Sequence, residues 1–314
     1  MTATRAPIDL AGDVVVVTGA GRGLGRLYAI ELARRGASVV VNDLGGAMDG
    51  GGSDASVADG VVREIQAAGG SAVASHDSVA TQHGARAIVA AATEAFGRLD
   101  AVVSNAGIFA TQPLDEISSD AWDLMLRVHL DGAFHLTQAA YPVLREEGSG
   151  RFVYVASSAG LFGQPSSAPY AAAKAGIVGL ANVVAIEGAE HGIVANTILP
   201  FAETRMATET LGADVEAVRG LLDAIRPELV VPMVVYLASR ACRGTHQVFS
   251  AGAGRYARVF IGLADGWAAD AGTVPTPEDI AAHLDEITAP EPFSIPTSIY
   301  DEVAQLLDRR QVVR

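Results

Sequence analysis

Val14-Val15-Val16-Val17-Thr18-Gly19-Ala20-Gly21-Arg22-Gly23-Leu24-Gly25 decides the fold of this 314-residue chain. A run of valines with no polar alternation suits a strand buried on both faces of a parallel sheet. Four glycines in the seven positions 19–25 make a turn, and the pattern from Leu27 to Arg35 reads as a helix. Glycines at a strand-to-helix turn let backbone amides come close to a pyrophosphate, at the positive end of the helix. An acid at the end of the second strand, Asp43 in Val41-Asn42-Asp43, stands where both ribose hydroxyls of NAD would be held. A carboxylate there repels a 2′-phosphate, so NAD is expected over NADP. Arg22 could favour NADP but is expected to face the pyrophosphate or solvent.

The same alternation continues along the chain. Strands are expected at Val39–Val41, Ser71–Ser75, Ala101–Ser104, Arg151–Ala156, Val194–Leu199 and Gln247–Ser250, with helical periodicity over 55–68, 80–96, 118–146, 170–190 and 228–239. Strands alternating with helices mean βαβ units. The expected fold class is therefore α/β, a single Rossmann-type doubly wound parallel sheet of about seven strands. Residues 1–254 are expected to form one NAD-binding and catalytic domain. Residues 255–314, richer in proline, read as a C-terminal helical extension packed on that domain or on a dimer partner. Two helices are expected there, near Thr276–Ile287 and Ser298–Arg309, the first with Thr276 as N-cap and Pro277 in the first turn. Gly45–Ser53, with five glycines in nine residues, reads as a mobile loop.

Composition narrows the function. Half the residues are hydrophobic and 18% are charged, which permits a large core. A net charge of -14 argues against a nucleic-acid partner. The single cysteine, Cys242, suits a reducing compartment, and Met1–Leu10 has no apolar signal run, so a soluble, cytoplasmic protein is expected with no membrane partner. The seven histidines show no metal-ligand spacing, so no metal is expected.

Lys174 is the only lysine among 22 basic residues, and Tyr170 stands four residues before it. On a helix the two share a face. A compact ammonium beside a phenol can tune that phenol toward acid–base work, which the always-charged arginine fork does less readily. The alternative is a core tyrosine next to a solvated lysine.

Further residues sharpen this picture. Thr18-Gly19-x-x-x-Gly23-x-Gly25, Asn105-Ala106-Gly107 after the fourth strand, Ser157 thirteen residues before Tyr170, and the Tyr170/Lys174 pair occur in that order. Together they resemble the short-chain dehydrogenase/reductase family over residues 12 to about 252. The resemblance implies a hydride exchanged between a secondary alcohol and a nicotinamide, with Ser157, Tyr170 and Lys174 catalytic. Lys174 would lower the pKa of Tyr170 and hold the nicotinamide ribose. It also implies that Gly19, Arg22, Gly23, Leu24, Gly25, Asp43, Asp77, Ser78, Asn105, Ala106, Gly107, Pro200 and Thr204 contact the cofactor, as do Tyr170 and Lys174. A homodimer or homotetramer through the helices of 118–146 and 170–190 is implied as well.

Two positions depart from the general pattern. His129 occupies the place of an asparagine that helps hold a relay water, and could join the relay or only pack. Pro200-Phe201 replaces the usual Pro-Gly, which leaves the register of Thr204 open. Val41-Asn42-Asp43-Leu44-Gly45-Gly46, His76-Asp77-Ser78-Val79 and Arg127-Val128-His129-Leu130 resemble a narrower group, the dehydrogenase regions of the type 2 peroxisomal multifunctional enzymes (D-bifunctional proteins). That likeness implies a free-standing dehydrogenase taking (3R)-hydroxyacyl-CoA to 3-ketoacyl-CoA. Arg205, Arg219 and Arg226, in an expected lid over 201–227, could meet CoA phosphates or simply face solvent. A hydroxysteroid, terpenoid or other bulky alcohol would need the same catalytic residues. A scaffold that binds nucleotide without turnover is the alternative of another class.

Overall fold

The computed structural model describes residues 7–202, 224–270 and 272–312. Within Met1–Arg258 the elements alternate as β1 Val14–Thr18, α1 Gly23–Arg34, β2 Ser38–Asn42, α2 Ser56–Ala67, β3 Ser71–Ser75, α3 Gln82–Phe96 and β4 Ala101–Ser104. There follow α4 Ser119–Leu126, α5 Gly132–Glu146, β5 Gly150–Val155, α6 Ser158–Phe162, α7 Ala168–Gly188, β6 Ile193–Phe201, α8 Val231–Ala238, β7 Gln247–Gly252 and β8 Arg255–Val259. The sheet has eight strands in the order β3-β2-β1-β4-β5-β6-β7-β8. From β3 to β7 every pair is parallel. The direction of travel across the sheet reverses between β1 and β4, and a doubly wound sheet opens its ligand crevice at that point.

Both faces of the sheet are covered, which is why β1 needs no polar alternation. Val15, Val17, Val39 and Val41 share one core with Tyr28 and Leu32 of α1, Val61 and Ile65 of α2, and Val234 and Val235 of α8. The alternate residues Val14, Val16 and Val40 are equally buried and face the opposite layer, where α3, α5 and α7 pack on one another. Helix α7, continued to His191, is apolar and long enough to span a membrane by composition alone. Here it is a core helix laid on β6, with Ile177, Ala181, Val184 and Ala185 buried.

The eighth strand lies beyond the seven expected, in a stretch read as the start of the extension. Ala253 (φ +51°) and Gly254 (φ +73°) form a two-residue turn that folds β8 back against β7. Ala253 is a poor signal for such a turn, so the hairpin was hidden. The second unit, Val259–Arg314, contains a short antiparallel pair, Leu263–Ala264 with Phe293–Ser294. Its helices are α9 Pro277–Ala282, α10 Leu284–Thr288 and α11 Ile299–Val312, so the first helix expected there is broken at His283. Thr276 caps α9 in a full capping box with Asp279, as its Thr-Pro-Glu-Asp string requires.

At the N-terminal ends of the strands an ion cluster closes the sheet. Asp100, just before β4, accepts from Val14 N at 2.9 Å and pairs with Arg98 at 2.7 Å. Arg240 bridges Asp100 (3.0 Å) and Asp13 (2.7 Å). Burial pushes the Asp100 carboxyl up, but the Arg98 hydrogen bonds and charge more than offset this and hold it below its ordinary value. The opposite ends of the strands are left to the crevice.

Candidate active site

The β1–α1 turn is shaped by what surrounds it. Gly19 has φ +62°, and a methyl group there would stand 2.8 Å from Ala106 Cα. At Gly25 a methyl would run into the Gly19 carbonyl and Asn105. The turn and the Asn105-Ala106-Gly107 segment are thus built against each other. Thr18 Oγ1 accepts from the backbone N–H groups of Asn105 (3.0 Å) and Ala106 (3.1 Å), while Asn105 Nδ2 donates to the carbonyls of Thr18 (2.9 Å) and Gly19 (3.2 Å). Two motifs far apart in sequence become one rigid cradle.

Asp43 follows β2 at the mouth of this cradle. Its Oδ2 accepts from Gly21 N at 2.8 Å and its Oδ1 from Gly45 N at 2.7 Å, which fixes the carboxylate without neutralising it. The Arg22 guanidinium donates to Gly46 O at 3.0 Å. Next to it, Asn42 Nδ2 donates to Ser75 Oγ (3.1 Å) and Asp77 O (2.9 Å), and Ser75 Oγ donates to an Asp77 oxygen at 3.1 Å. Gly45–Ser53, expected to be mobile, is tied back on itself. Ala47 N donates to Gly51 O, Asp54 N to Leu44 O, and Phe109 N to Met48 O at 3.0 Å. The glycines serve the tight turns of this segment, with Gly45, Gly50 and Gly52 all at positive φ.

A cavity of about 620 Å³ runs from the glycine turn past Asp43, Asp77 and Ser78 to Ser157, Tyr170 and Lys174. Gly19, Arg22, Gly23, Leu24, Gly25, Asn105, Ala106, Gly107, His129 and Pro200 also line it, so the described catalytic and dinucleotide residues named from sequence meet at one opening, whereas Arg226, named for CoA phosphates, is exposed and is not among the lining residues. Thr204, Arg205 and Arg219 lie outside the described residues.

Ser157 caps α6, its Oγ accepting from Ala159 N at 3.2 Å, and its side chain is within hydrogen-bonding reach of the Tyr170 phenol. Tyr170 and Lys174 lie one turn apart on α7, the Lys174 Nζ 5.6 Å from the Tyr170 ring centroid. The tyrosine ring is held edge-on by Phe109 (5.1 Å between centroids) and by His129 (5.3 Å). Lys174 is buried, and Nζ donates to Val155 O at 2.7 Å. Among the described residues that is its one hydrogen bond, so two of its three donors are free for a ligand.

The electrostatics differ from the sequence expectation. Burial pushes the Tyr170 phenol above its ordinary value of 10, with the Ser157 hydrogen bond pulling the other way. Burial also pushes Lys174 down, from 10.5 to about 7. In the protein without ligand, enclosure of both groups outweighs the attraction of ammonium for phenolate. Polar groups of a ligand, or its charge, must complete the pair.

His129 sits on a single π-turn, Arg127–Asp131, between α4 and α5. Its Nε2 lies 2.7 Å from Ile108 O and 3.1 Å from Ile108 N, and its Nδ1 is buried with no partner among the described residues. Burial, the Lys174 charge beside it and, in opposition, the Ile108 bond leave its pKa well below 6.5. The ring therefore fills the space behind Gly107, where any side chain would collide with it. Sequence reading raised His129 but missed its partner, because the fit of Gly107 to an imidazole lies across 22 residues.

The cradle, the fixed carboxylate and the underused ammonium fit a nicotinamide dinucleotide, and they lie at the switch point of the sheet. Residues 13–214 match the family model of the short chain dehydrogenases, and the chain belongs to that family. It is 46% identical over 275 residues to a short-chain type dehydrogenase/reductase of Mycobacterium tuberculosis, covering 88% of this chain and 93% of that one. It is also 44% identical over 248 residues to the peroxisomal multifunctional enzyme type 2 of Mus musculus, covering 79% of this chain but only 32% of that protein. A hydroxyacyl-CoA dehydrogenase of M. tuberculosis, ChsB1, is 41% identical over 253 residues, 77% of each chain. Among solved structures, full-length peroxisomal multifunctional enzyme type 2 from Drosophila melanogaster superposes with a TM-score of 0.80 at 31% identity, over 98% of this chain and 51% of that one. The likeness read from Asp43-Leu44-Gly45-Gly46 and Arg127-Val128-His129-Leu130 thus stands, and the protein is an oxidoreductase of this family.

Proposed function

We propose that the protein oxidises a (3R)-hydroxyacyl thioester, such as the CoA ester, to the 3-keto compound with NAD⁺. The observation that carries this reading is the single cavity joining the glycine cradle and Asp43 to Ser157, Tyr170 and Lys174. Bound there, the nicotinamide supplies the acceptor for the hydride that leaves the carbinol carbon. Tyr170 Oη takes the hydroxyl proton of the substrate, and Ser157 Oγ donates a hydrogen bond to the same oxygen as charge gathers on it. The two free donors of Lys174 Nζ hold ribose hydroxyls. Those contacts favour the ammonium over the amine, and the restored charge then draws the Tyr170 phenol down from the high value that burial gives it. Phe109, buried and edge-on to Tyr170, keeps water from that side of its ring.

Two observations favour NAD over NADP. The Asp43 carboxylate is aimed by two backbone N–H groups, and the Arg22 guanidinium is directed to a carbonyl rather than to Asp43. Purified protein mixed with either dinucleotide and a panel of 3-hydroxyacyl-CoA esters, hydroxysteroids and 2-alkanols should form NADH fastest with an acyl ester. Turnover of steroids alone would leave the reaction class and remove the substrate. Asp43→Ser should bring the two dinucleotides' dissociation constants within about tenfold of each other. Tighter NADP⁺ binding by the unaltered protein would overturn the Asp43 reading.

The same reading includes a homo-oligomer. Phe134 on α5 and Val183 and Ile186 on α7 are about half exposed, apolar residues on helices expected to meet a second copy. A dimer or tetramer by light scattering at micromolar concentration is the expected result, and a monomer would count against it.

A further inference from the structure

Of the described polar side chains that line the cavity, all but two are among the site residues named above. One is Asn42, whose amide is taken up by Ser75 and Asp77. The other is Gln164. It lies in the turn between α6 and α7, seven residues after Ser157 and six before Tyr170, and it is half-buried. Its side-chain amide makes no hydrogen bond to the described residues, in a segment otherwise well tied down. Gln112 N donates to Ser166 O at 2.9 Å, Ser167 Oγ donates to Pro165 O at 3.1 Å, and Ser166 is held at φ +58°. A serine kept in the left-handed region stores strain that the surrounding contacts must offset, and such strain gathers where a neighbour has to be presented in one pose. A free amide on a fixed turn, lining the cavity that also holds the Ser157 and Tyr170 hydroxyls, is a group available for recognition.

We infer that Gln164 is a substrate-binding residue whose Nε2 donates to a second carbonyl of the substrate, two bonds from the carbon that reacts. This deepens, and rests on, the proposal of a 3-hydroxyacyl thioester. Such a substrate carries oxygen at C1 and C3, whereas a hydroxysteroid or a 2-alkanol has no carbonyl at that spacing. With the C3 oxygen held by Ser157 and Tyr170, the C1 carbonyl needs a donor on the substrate side of the cavity. Gln164, between Ser157 and Tyr170 in the chain, is the described lining amide whose donors are not taken up, and such donors distinguish a thioester from a plain alcohol.

Steady-state rates on 3-hydroxybutyryl-CoA and on 2-butanol, with saturating NAD⁺, test the assignment in the wild type, Gln164→Ala and Gln164→Glu. Glutamate keeps the size of the side chain but removes the N–H donors, so a purely structural role would survive it. Both variants should lose about tenfold in kcat/KM on the thioester, the equivalent of one neutral hydrogen bond, and stay within about twofold of wild type on 2-butanol. Equal losses on both substrates, or no loss on either, would overturn the assignment while leaving thioester oxidation intact. Full retention by Gln164→Glu would overturn it too. A wild type that oxidises 2-butanol but no thioester would sink the substrate reading itself, and the role of Gln164 with it.

Discussion

At the scale of single residues, Lys174 carries the most information. A lysine whose pKa falls from 10.5 to about 7 on burial binds fewer protons in the folded than in the unfolded chain across that interval. Stability attributable to this group therefore rises with pH between about 7 and 10.5, and its burden is full below 7. Lys174→Met should be most stabilised relative to wild type near or below pH 7, with the advantage narrowing as pH approaches 10.5. Melting temperatures of the two proteins without cofactor, taken across that range, check this; a gap that does not change with pH would refute it. Activity should move the opposite way. Lys174→Arg keeps a charge but brings a wider, always protonated fork to a site that admits one compact group, and kcat/KM should fall on the order of 100-fold. A rate close to wild type would show that the ammonium has no part in the reaction.

At the scale of elements, the π-turn that carries His129 is fitted to the segment after β4. Gly107 passes so close to the imidazole that Gly107→Ala must displace one of them, at about 2 kcal/mol, the usual cost of overpacking a filled interior. His129→Ala empties that space, so the double variant should be more stable than the sum of the two single losses implies. Urea midpoints of the four proteins give the coupling directly, and strict additivity would show that the two elements do not bear on each other. The sequence made the elements themselves plain: β1 to β7, the glycine turn and α7 are written in valine runs and in glycine and tyrosine–lysine spacing. What it hid are contacts between elements. The β7–β8 hairpin turns on a positive φ at Ala253, a residue with no preference for it. The Gly45–Ser53 segment closes through hydrogen bonds that include one to Phe109, more than fifty residues on. Gln164 reads as an ordinary loop glutamine until the neighbours that do not bond to it are known.

At the scale of the folded sheet, the strands divide two tasks between their ends. The C-terminal ends hold the cavity, while the N-terminal ends hold Asp13, Asp100, Arg98 and Arg240. Asp100→Asn should lower stability by about 2 kcal/mol, less than for a fully enclosed pair because both arginines reach solvent. It should leave KM and kcat unchanged, and a change in either would show that the two ends communicate. The dependence of the whole chain on arginine has a further result. Its one lysine lies at the floor of the cavity and is almost wholly shielded, so the folded surface presents no ε-amine at all. A reagent that acylates amines finds one ε-amine here, distinguishable from the α-amine by peptide mapping, and reaches it only when the cavity admits it. The rate of marking becomes a clock for how often the cavity opens, and its slowing by a dinucleotide becomes a direct measure of occupancy that needs no turnover.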